Sequence, residues 1–134
     1  MKHPTEPTDP SRELAFAAAD LATDVKAEEI AVLELRDISS VADFFVVCSG
    51  RSHIQVEAIC HRIREGLIER FDERPISVEG LEHARWAVLD YGTVVIHVFQ
   101  QSVREIYDIE RLWNLAPRWP HGGTAGQGSQ RAQA

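Results

Sequence analysis

The chain has little of what marks several large functional classes. Its cysteines are two, Cys48 and Cys60, with no C-x-x-C pair and no spaced framework, which sets aside a disulfide scaffold and a thiolate zinc site. Each falls inside an apolar pattern, where cysteine behaves as a small hydrophobe. Positive charge is also short: 21 acidic residues face 14 basic ones, for a net charge of −7, and the arginines are spread along the chain. Strong direct binding to nucleic acid depends on clustered cations that displace condensed counterions, so it is disfavoured. An acidic protein can still act on a ribonucleoprotein by docking on a basic protein component. No apolar run approaches the ~20 residues that span a bilayer. The opening segment 1–11 carries three prolines and no apolar h-region, and does not read as a secretory signal. A cytoplasmic location is expected.

Catalytic signatures are equally sparse. No D-x-D falls on a predicted strand, and Asp108-x-Glu110 falls on a predicted helix, where the two side chains diverge. Ser39, Ser40, Ser49 and Ser52 lack a G-x-S-x-G frame, and nothing pairs them with a base. The histidines show no H-E-x-x-H spacing; His53 and His61 lie on one helix face but roughly 12 Å apart along it. No metal and no cofactor is expected. The strand-to-helix junction Cys48-Ser49-Gly50-Arg51-Ser52 can hold an anion through open backbone N–H groups. It leaves a nucleotidyl- or phosphoryl-transferase working through the Ser49–Ser52 turn as the alternative to a purely binding protein. The paired carboxylates such an enzyme needs for magnesium are missing.

What is present is enough for one folded unit: 134 residues, 44% hydrophobic. Residues 1–10 read as a disordered leader and 118–134, rich in Gly, Gln and Ala, as a disordered tail, leaving 11–117 as the domain. Asp9 and Pro10 suit an N-cap and first helical position, and Leu14, Ala18, Leu21, Ala22 and Val25 recur at helical spacing behind them. Segments 30–35 and 44–48 read as strands, the second buried on both faces. Ser52 and Gln55 form a capping box that opens a helix with Val56, Ile59, Cys60, Ile63 and Leu67 facing inward. A short strand is predicted over 75–78. Strands 86–89 and 93–99 make a hairpin turned by Asp90-Tyr91-Gly92. Ser102 and Glu105 suggest a second capping box, opening a helix that holds Val103, Ile106, Ile109, Leu112 and Trp113 and runs to Pro117. The expected fold is α/β: a single domain with a mixed sheet of about five strands covered by helices.

Large aromatics gather late in the chain, at Trp86, Tyr91, Tyr107 and Trp113. Trp86 begins a strand at the sheet's margin, and Tyr107 is offset from the inward helical series, so its ring projects to the side. Rings at a domain's edge are characteristic interface anchors; rings of this kind also serve as ordinary core, which spacing alone does not separate. His97 alternates with Val95 and Phe99 and reads as a satisfied, half-buried residue rather than a ligand.

Three segments, DISSVADFFVVCSGRS, ISVEG and RWAVLDYGTVVIHVFQQSVREIYDIERLW, resemble the ribosomal silencing factor (Iojap-like) family over about residues 11–117. The resemblance implies a nucleotidyltransferase-like fold without the catalytic acids. It implies a non-enzymatic translational repressor that docks on the large ribosomal subunit through its protein number fourteen, blocks joining of the small subunit when nutrients are scarce, and forms a homodimer when free. Carried over by position, the partner-binding residues would be Trp86, Asp90, Tyr107, Ile109, Leu112 and Trp113, with Glu105 and Glu110 able to face a basic partner. Thr93 stands where many relatives carry an acid, so an acidic contact there is not carried over.

Overall fold

The computed structural model describes residues 8–109, 111, 114 and 116–121. Local sequence determines where the first elements begin. Asp9 accepts from the Arg12 N–H and Pro10 takes the first helical position, opening α1 (Pro10–Asp24). The Ser52 hydroxyl accepts from the Gln55 N–H at the start of α2 (His53–Phe71). The Gln55 carbonyl reaches back to the Arg51 N–H, while its amide donates to the Val25 and Lys26 carbonyls, tying the start of α2 to the end of α1.

Six strands build one sheet: β1 (Glu28–Glu34), β2 (Phe44–Gly50), β3 (Ser77–Glu79), β4 (Trp86–Asp90), β5 (Val94–Gln100) and β6 (Arg118–His121), in the order β3-β4-β5-β2-β1-β6. Only β2 and β5 run parallel; every other pair is antiparallel. The period-two alternation of strands splits the apolar residues between two faces. Val32, Phe44, Val46, Cys48, Leu89, Ile96 and Val98 meet α1 and α2 in the larger core. Leu33, Phe45, Val47, Val95 and Phe99 point the other way into a second, smaller core with Val103 and Ile109. That second face is where α3 (Gln101–Tyr107) lies, packed on β5 and β2.

Three expectations change. The sheet has six strands rather than five, because Arg118–His121, assigned from composition to a disordered tail, pairs with Ile30–Leu33 of β1. The edge of β1 supplies the ladder, and a proline is tolerated in β6 because an edge strand keeps one side unpaired. The capping box at Ser102 and Glu105 does not form: β5 runs directly into α3, the N-cap is Gln100, and no side chain caps it. Ser102 is already inside the helix. Finally, α3 stops at Tyr107, well before Pro117. Asp108 adopts the left-handed region (φ 45°) and its N–H donates to the Arg104 carbonyl, a helix stop that Asp tolerates better than most residues. Within this short helix Ile106 points outward, 74% exposed, instead of joining the inward series.

Candidate partner-binding site

The site is assembled around the first residue of β4. The segment V-E-G that precedes it ends on Gly80, whose φ of +84° is open to glycine. A β-carbon at Gly80 would stand 2.1 Å from the Trp86 carbonyl oxygen. The loop between β3 and β4 therefore closes against the backbone of Trp86, helped by the Ala84 N–H donating to the Gly80 carbonyl. On the other side, the Gln100 N–H donates to the Arg85 carbonyl and carries the β4–β5 ladder to the start of α3. The indole of Trp86 then lies between the sheet and α3. Its ring stacks on Phe99 at 4.9 Å between centroids and meets Tyr107 at 4.8 Å. Tyr107 remains 56% exposed, beside the outward Ile106. Gly80, His83, Arg85, Trp86, Val103 and Tyr107 line an open groove of about 470 Å³ along this edge.

Trp86 is also held from inside. Its Nε1–H donates to Nδ1 of His97 at 3.1 Å. His97 is 6% exposed, its ring 4.6 Å from that of Phe45. It is thus more deeply buried than its alternation with Val95 and Phe99 suggests. Burial pushes its imidazole down to about 4, because a charged ring in apolar surroundings loses its hydration. The neutral ring accepts at Nδ1, so its proton sits on Nε2, which has no hydrogen-bond partner among the described residues.

The residues proposed from sequence are partly brought together. Trp86 and Tyr107 touch; Ile109 is buried in the second core below them. Asp90 lies apart, at the far end of β4, roughly 13 Å along the strand from Trp86. Its carboxylate accepts from the Gly92 N–H and holds the hairpin turn, where Gly92 takes φ +88°. Glu105 is exposed on α3. Leu112, Trp113 and Glu110 lie outside the described residues. Sequence reasoning missed Gly80, His97 and Phe99 as parts of this site. A signal existed: a hairpin turning at Asp90 pairs Trp86 with Phe99 and Val88 with His97, which puts Trp86 and His97 diagonally on one face.

The strand-to-helix junction is chemically occupied. Ser49 is fully buried, and its hydroxyl accepts from Nη1 of Arg104 at 2.9 Å; the same guanidinium donates to the Glu29 carbonyl, where β1 is irregular and Glu29 has φ 50°. The Ser52 hydroxyl is the α2 cap. Both hydroxyls of the Ser49–Ser52 turn are therefore engaged in holding the fold. Cys48 and Cys60 are both buried, and burial pushes their thiols up to about 12, which disfavours the reactive thiolate. Among the described residues no helix is long and apolar enough to cross a membrane.

Comparison with known proteins gives a consistent result. The family model described as "Ribosomal silencing factor during starvation" matches residues 8–134. A ribosomal silencing factor of Halalkalibacterium halodurans is 41% identical over 107 residues, covering 80% of this chain and 91% of its own. One from Bacillus subtilis is 43% identical over 107 residues, covering 78% and 85%. The chloroplastic protein Iojap of Arabidopsis thaliana is 34% identical over 125 residues, 87% of this chain and 49% of its own. Among solved structures, a Chromobacterium violaceum protein superposes with a TM-score of 0.73 at 32% identity, covering 76% of this chain and 84% of its own. A Bacillus halodurans protein superposes at 0.71 with 37% identity, covering 82% and 99%.

Proposed function

The chain belongs to the family of ribosomal silencing factors during starvation, and from that premise we propose that it represses translation by binding the large ribosomal subunit and keeping the small subunit from joining. The partner surface is the edge formed by Trp86, Tyr107 and Ile106, and the docking point is large-subunit protein number fourteen. The observation that carries this reading is the exposed Tyr107 laid against a Trp86 that the sheet holds in place. A rigid, partly exposed aromatic pair is the kind of anchor on which most of an interface's affinity rests. The net charge of −7 suits a basic ribosomal protein and disfavours a grip on rRNA through its phosphates.

Repression of this kind needs no chemistry. An interface of about 800 Å² per partner is within reach of a domain this size, and the bulk of the docked domain occupies space the small subunit would need. Ile109, Leu112 and Trp113 are proposed as further contact residues beside Trp86 and Tyr107, and Asp90, Glu105 and Glu110 as acidic groups that face the basic partner. The protein works in the cytoplasm, is a homodimer when free, uses no cofactor and is not an enzyme. The test is sedimentation of purified large subunits with the protein, with and without small subunits. The expected result is co-migration with large subunits and loss of the joined particle. Subunits that join normally in a large excess of the protein overturn the reading.

A further inference from the structure

We propose that His97 is the positioning residue of the partner surface: by accepting the Trp86 indole N–H at Nδ1 it fixes the orientation in which Trp86 supports Tyr107. This deepens the function proposed above and rests on it for the identity of the partner, though not for the geometry.

Histidine is a misfit at position 97. Position 97 lies in the middle of β5, on the face that buries Phe45, Val47, Val95 and Phe99. An apolar side chain there would add hydrophobic burial and bring no polar atom of its own. Histidine instead leaves Nε2–H buried and without a partner among the described residues, a loss of hydration that an apolar residue would avoid. Packing therefore does not account for the histidine. What an apolar residue cannot supply is an acceptor for Trp86 Nε1–H, 3.1 Å away. The His97 ring also lies within the same set of stacked rings: 4.6 Å from Phe45, 6.0 Å from Trp86 and 6.3 Å from Phe99. Tyr107 touches Trp86, on the outside of this set. A single directional bond from the floor of the sheet thus sets the tilt of the indole, and the indole sets where Tyr107 rests. Because burial holds the ring neutral, Nδ1 keeps its lone pair near neutral pH.

Two measurements test this. In the wild-type protein, long-range nitrogen–proton NMR of His97 is expected to show Nδ1 unprotonated and Nε2 protonated. The opposite tautomer, or fast averaging between the two, overturns the proposal, and this arm needs no variant to fold. Next, His97→Phe keeps a ring but removes the acceptor, whereas His97→Gln keeps an acceptor. The Trp86 indole N–H resonance, identified by its loss in Trp86→Phe, is expected to move in His97→Phe and to stay close to its original position in His97→Gln. Binding to large subunits is expected to weaken at least about tenfold in His97→Phe and within about threefold in His97→Gln, the range set by displacing an interface anchor. Equal weakening in both variants, or wild-type affinity in His97→Phe, overturns the positioning role. If wild-type protein itself fails to bind large subunits, the functional reading fails, while the tautomer and the indole resonance still decide the geometry.

Discussion

The carbonyl oxygen of Trp86 stands 2.1 Å from where a β-carbon on Gly80 would be, closer than any side chain allows. This close approach makes a loop glycine a support of the proposed partner surface. Gly80→Ala meets both a backbone atom that cannot rotate away and a positive φ that alanine resists. We expect a loss of at least about 2 kcal/mol in urea unfolding. We also expect the Trp86 environment to change in any fraction that still folds. A variant as stable as wild type, with an unchanged indole resonance, would show that the loop does not lean on Trp86.

A second glycine has a different neighbour. At Gly66, inside α2, an added β-carbon would meet Leu21 Cδ2 at 2.4 Å and Cγ at 2.9 Å, and Leu21 of α1 is fully buried. Alanine would gain up to about 1 kcal/mol of helix propensity but force apart two packed helices, which typically costs 1–3 kcal/mol, roughly. Gly66→Ala should therefore be net destabilising. Leu21→Ala should recover part of the loss when the two are combined. A double-mutant cycle checks this, since touching residues give non-additive energies. Strict additivity would place the two residues out of contact.

How much of this was readable in the sequence depends on where each constraint comes from. Val56, Ile59, Cys60, Ile63 and Leu67 repeat at helical spacing and are all buried on α2, because the pattern itself is the cause of burial. The same holds for β2, where an unbroken apolar run became a strand buried throughout. Arg118–His121 carries no such pattern; it is a strand because β1 offers an open edge, and its partner lies far away in sequence. The end of α3 was hidden for the opposite reason. Apolar spacing continues past Tyr107, and the stop is a backbone choice at Asp108 that leaves no glycine or proline to read. At the site, Trp86 and Tyr107 stood out as large aromatics late in the chain. His97 did not, because its role depends on the hairpin register.

Tyr107 is the cleaner probe of the proposed partner surface. Trp86→Glu would weaken binding, but it would also remove the stack on Phe99 and strand His97 Nδ1 without its donor, mixing a folding defect with a binding one. Tyr107 is mostly exposed. Tyr107→Ala should change unfolding stability by less than about 1 kcal/mol, while weakening the large-subunit complex by about 2 kcal/mol, as loss of an aromatic anchor does. Sedimentation binding curves alongside urea unfolding separate the two effects. Undiminished affinity would move the contact elsewhere on the domain.

The buried imidazole also imposes a pH dependence whose sign can be worked out. Burial pushes the His97 imidazole down to about 4, against 6.5 for an ordinary histidine. Between those values the unfolded chain binds a proton that the native state refuses, so unfolding is favoured as pH falls. Stability is undiminished above about pH 6.5, declines through the interval, and is lower by on the order of 3 kcal/mol once the pH reaches about 4. Asp9, whose carboxyl is held below its usual range by the Arg36 guanidinium, responds only lower, as pH falls below the ordinary carboxylate value. Unfolding free energies of wild type and His97→Gln measured from pH 7 to 4.5 isolate the histidine, because every other group is common to both proteins. The wild type should lose stability more steeply over that range. Parallel curves would mean that His97 is reached by water and protonates as readily folded as unfolded.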